Sequence, residues 1–252
     1  VERVAAMRTD YQARAEIDAR YRSRRAAGQP GWRDDYAESI ARVEEVVTRY
    51  QPGREAMLEM GCGAGNVALA VAAKGLFMHV HGIDLSEEAI DWARAKAVEA
   101  GLTADFRVGS VVDLGCYGDG WFDLVVDSSC LHMVIGDDRV RCLASVHRVL
   151  RPGGLFCVSA QCRNPEVAAR YVVTENIHFD PESELLLRDG LPYYHLRLRQ
   201  EVLGELTATG FEVLDWRMRP KDDDEGPYIL GCLLANAVKR GEPAEASGAR
   251  EP

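Results

Sequence analysis

Three glycines at alternate positions follow an acidic residue in Glu59-Met60-Gly61-Cys62-Gly63-Ala64-Gly65-Asn66. Where no Cβ intervenes, backbone N–H groups can come close to a ligand, and the start of a following helix favours polar or anionic groups. The flanks supply those elements: Ala56 to Met60 reads as a buried strand and Val67 to Ala73 as the start of a small-residue helix. The chemistry indicated is the binding of a nucleoside cofactor; a tight turn with no ligand is the plainer alternative. His79 to Asp84 reads as a second strand, and Asp84 falls about 20 residues beyond the glycines, where a carboxylate can accept both hydroxyls of a ribose. Ser86 is placed to cap the next helix, with Glu87 and Glu88 in its first turn favoured by the helix dipole. A dinucleotide fingerprint has the form G-x-G-x-x-G. Here the third glycine, Gly65, comes one residue early and Asn66 holds its expected place.

The rest of the chain predicts the scaffold for that turn. Residues 2 to 25 look helical, Gly28-Gln29-Pro30-Gly31 ends that helix, and Asp34 to Tyr50 predicts another with Ile40, Val43 and Val47 on one face. Strands are expected at Ala104 to Val108, Phe122 to Asp127 and Leu155 to Ala160, with helices at Asp137 to Val149 and Gln200 to Thr209. Alternation of this kind builds a parallel sheet covered by helices on both faces. Phe211 to Met218 and Tyr228 to Ala237 read as a hairpin around the acidic run Asp222-Asp223-Asp224-Glu225, which we read as solvated. Gln161 to Arg199 interrupts the alternation and suits a cap at the edge of the ligand crevice. The organisation expected is residues 1–54 as N-terminal helices, 55–238 as the core with the cap at 161–199, and 239–252 as a disordered tail.

Composition narrows the function classes. The 252 residues are 47% hydrophobic, enough for one substantial core. A formal charge of −10 disfavours nucleic acid, which needs a basic surface. No apolar run approaches the ~20 residues that span a bilayer and no leader pattern opens the chain, so a soluble, cytoplasmic protein is expected. Seven cysteines without a C-x-x-C pair read as reduced thiols, not as a disulfide framework or zinc site. His79 and His81 share one face of a strand but lack a third ligand at suitable spacing, and no metal site is expected. A homodimer stays open.

Four segments in order resemble the class I S-adenosylmethionine-dependent methyltransferases: Glu59 to Gly65, Gly82-Ile83-Asp84-Leu85-Ser86, Phe122 to Asp127, and Leu150-Arg151-Pro152-Gly153-Gly154. The resemblance covers roughly Glu55 to Ala237. It implies a doubly wound, mostly parallel seven-stranded α/β sheet of Rossmann-like form, with a last strand inserted antiparallel, and S-adenosylmethionine as cofactor. It also implies roles for particular residues. Gly61 and Gly63, with Gly65, bring backbone close to the methionine and ribose; Glu59 orients the turn; Asp84 takes the ribose hydroxyls; Leu85 packs on adenine. Ser110 stands where relatives often carry an acid that reads the adenine amino group, and Val111 can serve through its N–H. Asp127 and Ser128 would face the methionine amino group and the transferred methyl. Asp18-Ala19-Arg20-Tyr21 is similar to the lid pattern of small-molecule methyltransferases, with Tyr21 over the methionine end, although no tryptophan stands in that stretch.

Methyl transfer demands alignment of a nucleophile with the S–CH3 bond, exclusion of water and, for some acceptors, removal of a proton. His132, just beyond the fourth strand, is the first candidate for a base or for a hydrogen bond to the acceptor. Tyr194 and His195, beside Tyr193 in the insertion, suit an acceptor pocket that must also stabilise a cation, and His178 lies in the same segment. The function expected is methyl transfer to an oxygen, nitrogen or sulfur of a small molecule in bacterial secondary metabolism. The alternatives are a protein that binds S-adenosylmethionine without turnover and a nicotinamide-dependent oxidoreductase.

Overall fold

The computed structural model describes residues 10–163, 176–220 and 230–241. Helices α1 (Asp10–Ala26) and α2 (Ala37–Tyr50) precede β1 (Ala56–Met60), α3 (Asn66–Ala73), β2 (His79–Asp84), α4 (Glu87–Ala100), β3 (Asp105–Val108) and β4 (Phe122–Asp127). A 3₁₀ turn (Leu131–Met133) leads to α5 (Asp137–Val149) and β5 (Leu150–Arg163). Then come β6 (Ile177–Asp180), β7 (Leu185–Arg188), β8 (Leu191–His195), α6 (Arg199–Ala208), β9 (Phe211–Pro220) and β10 (Leu230–Lys239). The main sheet runs β3-β2-β1-β4-β5-β10-β9, with β10 antiparallel to both neighbours, as the resemblance implied.

The central strands are mostly apolar because both their faces are covered. Along β1, Ala56, Leu58 and Met60 join a core that includes Leu143 and Val146 of α5 and Val202 and Leu206 of α6. Met57 points the other way, into a core with Val43 and Val47 of α2, Val67 and Ala68 of α3 and Ile90 of α4. Glu59 shares the parity of Met57, so its side chain is directed at α3. The chain leaves β1 for β2 on one side and returns through β4 on the other. The crevice between their carboxyl ends is therefore the switch point at which such sheets bind ligands.

Two departures from the sequence reading matter for the site. β5 begins five residues before the expected strand and ends three after it. Its nine-pair antiparallel register with β10 carries it to Arg163. Within the described part of the insertion, β6, β7 and β8 form a separate three-stranded antiparallel sheet. The β7–β8 turn is Asp189-Gly190, both with positive φ (52° and 76°), a hairpin signature present in the sequence. Glu184 anchors this small sheet, accepting from Arg163 at the end of β5 and from Arg197 before α6, both at 2.8 Å. The acidic run 222–225 and the tail from 242 onward lie outside the described residues.

Gly65 shows how the fold constrains the turn. It precedes α3 with φ +72°, and a Cβ there would stand 2.8 Å from the ring of Phe106 and 3.0 Å from Ala93 Cβ. Left-handed strain and overpacking then add. Gly65→Ala is expected to lower stability by roughly 2 to 4 kcal/mol, read as a lower urea midpoint at unchanged m-value.

Candidate functional site

A cavity of about 500 Å³ opens at the switch point, within the range of small-molecule sites. Gly61 (φ +64°) and Gly63 (φ +53°) form its floor. Their lack of side chains admits the neighbours: a Cβ on Gly61 would fall 2.6 Å from Cys130 Cβ, and one on Gly63 would overlap the Tyr21 hydroxyl. Two buried carboxylates hold the turn. Glu59 accepts from Ala68 N in the first turn of α3 at 2.9 Å. Asp84 accepts from Gly63 N at 2.8 Å and, through its other oxygen, from Ser86 N at 2.9 Å. Burial pushes the Glu59 carboxyl up to about 8 and raises Asp84 as well, against the hydrogen bonds that favour their anions.

Tyr21 closes the turn from above. It is buried, its hydroxyl is pushed well up by burial and then by the charge of Asp84, and its ring centroid lies 5.4 Å from that of Trp32. The tryptophan absent from the Tyr21 stretch is thus met by one in the loop after α1. Arg20 stacks on the same indole, its guanidinium 3.8 Å from the ring centroid. Contacts to the start of α4 dock α1. Asp18 accepts from Ser86 Oγ at 2.5 Å, Arg22 pairs with Glu88 at 2.8 Å, and Ser86 Oγ in turn accepts from Ala89 N. Leu85, Ser110 and Val111 line the side of the cavity next to Asp84. The Ser110 hydroxyl accepts from Val112 N at 3.2 Å, so it also shapes its own loop.

At the opposite end stand His132, Gln161, Tyr193 and Tyr194. Gln161 N donates to His132 Nδ1 at 3.3 Å, so a neutral ring carries its proton on Nε2. Burial and the Arg139 charge push His132 down to about 3, keeping it neutral at physiological pH. Tyr194 meets the His132 ring edge-on at 4.5 Å, stacks on Tyr193 at 4.1 Å, and donates to its hydroxyl. Arg139, buried on α5, donates to Leu131 O and to Glu205, both at 2.7 Å, and so holds the His132 turn against α6.

Three residues assigned to the site from sequence stand outside its lining. Asp127, fully buried, accepts from the backbone of Cys130 at 2.7 Å, Leu131 at 3.0 Å and Ser159 at 3.3 Å, so it braces the loop that presents Ser128 instead of facing a ligand. Gly65 serves helix packing. His195 is turned away, its Nδ1 buried, because alternation along β8 puts it on the opposite face from Tyr194. His178 likewise does not line the cavity. Trp32, Arg33, Tyr36 and Cys130 are cavity residues that the sequence reading did not assign. Glycine, proline and two aromatics within Gln29 to Tyr36 were the available signal for the first three. Among the described residues no group of three or more His, Cys, Asp or Glu side chains could hold a metal, and no helix is long and apolar enough to cross a membrane.

A seven-stranded sheet of this order, with an acid-held glycine turn at its switch point, defines a Rossmann-like nucleoside-binding fold. Residues 58–158 match the family model described as a methyltransferase domain. The chain is 33% identical over 138 residues to a ubiquinone biosynthesis O-methyltransferase of Xanthomonas axonopodis pv. citri, covering 55% of this chain and 56% of that protein. A protein of the same name from Thiobacillus denitrificans is also 33% identical over 138 residues, covering 52% and 58%. The chain thus spans little more than half the length of these curated relatives. Among solved structures, the [4+2]-cyclase SpnF superposes with a TM-score of 0.69 at 23% identity, over 94% of this chain and 98% of the other. The 1,6-didemethyltoxoflavin N1-methyltransferase of Burkholderia thailandensis, solved with S-adenosylhomocysteine, gives 0.68 at 22% identity over 96% and 94%.

The raised Glu59 carboxyl makes stability depend on pH. Between the ordinary value of 4.5 and about 8 the folded protein holds a proton that the unfolded chain releases, so stability falls as pH rises through that window. Asp127, pushed up to about 6 by burial, adds to the lower part of the fall. Glu59→Gln keeps an acceptor for Ala68 N without the charge. Its urea midpoint is expected to decline less from pH 5 to 8 than that of the parent protein.

Proposed function

We propose that the protein transfers the methyl group of S-adenosylmethionine to an oxygen, nitrogen or sulfur atom of a small-molecule acceptor, releasing S-adenosylhomocysteine. The observation that carries this reading is one cavity holding the glycine turn and Asp84 at one end and His132 with the tyrosine pair at the other. S-adenosylmethionine supplies an already activated methyl. The chain then has to bind, align and keep out water.

In this reading Asp84 accepts the ribose hydroxyls through lone pairs that its two N–H partners leave free. Leu85 and Val111 pack the adenine, with Ser110 beside them. Gly61 and Gly63 allow backbone approach. Arg33, whose charge acts on Glu59, and Ser128 sit at the methionine end with Tyr21 above. Residues 1–54 act as the lid, 55–238 as the core, and 161–199 as the acceptor cap. The acidic balance of the chain supports a small acceptor over nucleic acid. The reading includes a cytoplasmic location and leaves a homodimer open. The arginine-rich, lysine-poor composition supports an acceptor from bacterial secondary metabolism. A second reading, cofactor binding without transfer, is favoured by the superposition on a protein named as a cyclase.

Calorimetry tests the cofactor assignment that both readings share. S-adenosylmethionine and S-adenosylhomocysteine are expected to bind and NAD is not; NAD binding with no response to the other two refutes the assignment. Asp84→Ala is expected to weaken S-adenosylhomocysteine binding by about 2 kcal/mol, roughly thirtyfold, because it removes a buried charged acceptor for two hydroxyls.

A further inference from the structure

Among the described residues, the acceptor end of the cavity contains donors and cations but no side chain placed to remove a proton. His132 is the obvious base and its geometry argues against the role. Its Nδ1 faces the Gln161 N–H, so Nε2 carries the hydrogen and can only donate. Tyr194 donates to Tyr193, and burial makes its own ionisation harder. Asp127 is enclosed by three backbone N–H groups. Glu59 and Asp84 belong to the glycine turn at the other end. Asp138, at the rim, pairs with Arg141 at 2.9 Å.

Positive charge is present there. Arg20 reaches into the cavity from α1, held flat on Trp32, and forms no ion pair with any described residue. Arg20, His132 and Tyr194 line the same cavity, so the guanidinium and the imidazole can address one bound group. Arg188 covers Tyr193 at 3.9 Å. Arg219, by contrast, is paired with Glu38. An N–H donor, an unpaired guanidinium and two aromatic rings match an oxygen anion conjugated to a π-system.

We propose that the acceptor is a phenol or enol that reacts as its oxyanion, bound by His132 Nε2–H and Arg20, without a general base. This rests on the methyltransferase reading above. The hydroxyl loses its proton to solvent on binding, favoured by the two donors. A lone pair of the oxyanion then forms the O–CH3 bond as the S–CH3 bond breaks. The sulfonium charge and the oxyanion charge disappear together, and no proton moves in the step.

The test uses two chromogenic phenols, 4-nitrophenol and 4-nitrocatechol, titrated spectrophotometrically with protein saturated in S-adenosylhomocysteine. The phenolate is expected to bind about tenfold more tightly than the phenol, so that the apparent pKa of the bound probe falls by about one unit. Arg20→Gln and His132→Leu should each shrink that preference. His132→Gln, which keeps an N–H at comparable reach, should restore it relative to His132→Leu. Uptake of the neutral phenol, no spectral change with either probe, or a preference unaltered in both Arg20→Gln and His132→Leu overturns the proposal. Calorimetric binding of S-adenosylhomocysteine is read on the same samples. Its loss refutes the methyltransferase reading itself, whereas its persistence without phenolate preference refutes the oxyanion acceptor alone.

Discussion

The cavity depends on the path of residues 60–66. That path takes three left-handed positions in seven residues, conformations that cost an ordinary side chain about 1–2 kcal/mol each. Glycine removes the cost but not the disorder, so something else must hold the turn. Two carboxylates do this from opposite sides. Glu59, at the penultimate position of β1, fastens the start of α3; Asp84, at the end of β2, fastens the turn itself through Gly63 N. The same Asp84 fixes Ser86, and Ser86 caps α4 while donating to Asp18 of α1. One carboxylate thus links the glycine turn, the next helix and the lid.

Burying acids in this way is unfavourable, and the structure shows the strain as raised proton affinity at Glu59, Asp84 and Asp127. For Asp127 the three backbone donors are structural and complete. Glu59 and Asp84 instead adjoin the cavity, where a ligand that brings positive charge or hydroxyl donors lowers the cost of their ionised forms. Ligand binding and local order are therefore coupled, since occupancy relieves the groups that shape the turn. This holds whether or not transfer follows.

The glycine turn and its supports were legible in the sequence because their parts are local. A strand, a glycine turn and a capped helix follow one another within about thirty residues, and parity along β1 and the position of Asp84 need no tertiary information. Asp127 was misjudged for a related reason. A carboxylate at the end of a central strand looks functional in sequence, yet only the path of the loop beyond it reveals three N–H groups converging on that carboxylate. Trp32 was missed because its distance from Tyr21 along the chain hides a ring contact made through the loop after α1. The β6–β8 sheet was within reach, since Asp189-Gly190 between apolar runs is a hairpin signal that an apparently irregular insertion obscured. His195 was assigned with Tyr194 as a neighbour, although strand alternation separates their faces.

The acceptor end is built differently. Arg20 comes from α1, His132 from the turn after β4, Gln161 from β5 and Tyr194 from β8, four segments with no common local pattern. Their relative positions are set by an ion network behind the wall: Arg139 with Glu205, Arg197 with Glu205 and Glu184, and Glu184 with Arg163. Arg139 is the most consequential member, since it fixes the carbonyl of Leu131 and adds to burial in keeping the adjacent imidazole neutral. With Nδ1 facing the Gln161 N–H, that neutral ring can only donate, through Nε2. The same network therefore positions this wall of the cavity. The glycine turn carries no such information, because the hydrogen bonds that hold it come from β1, β2 and α3.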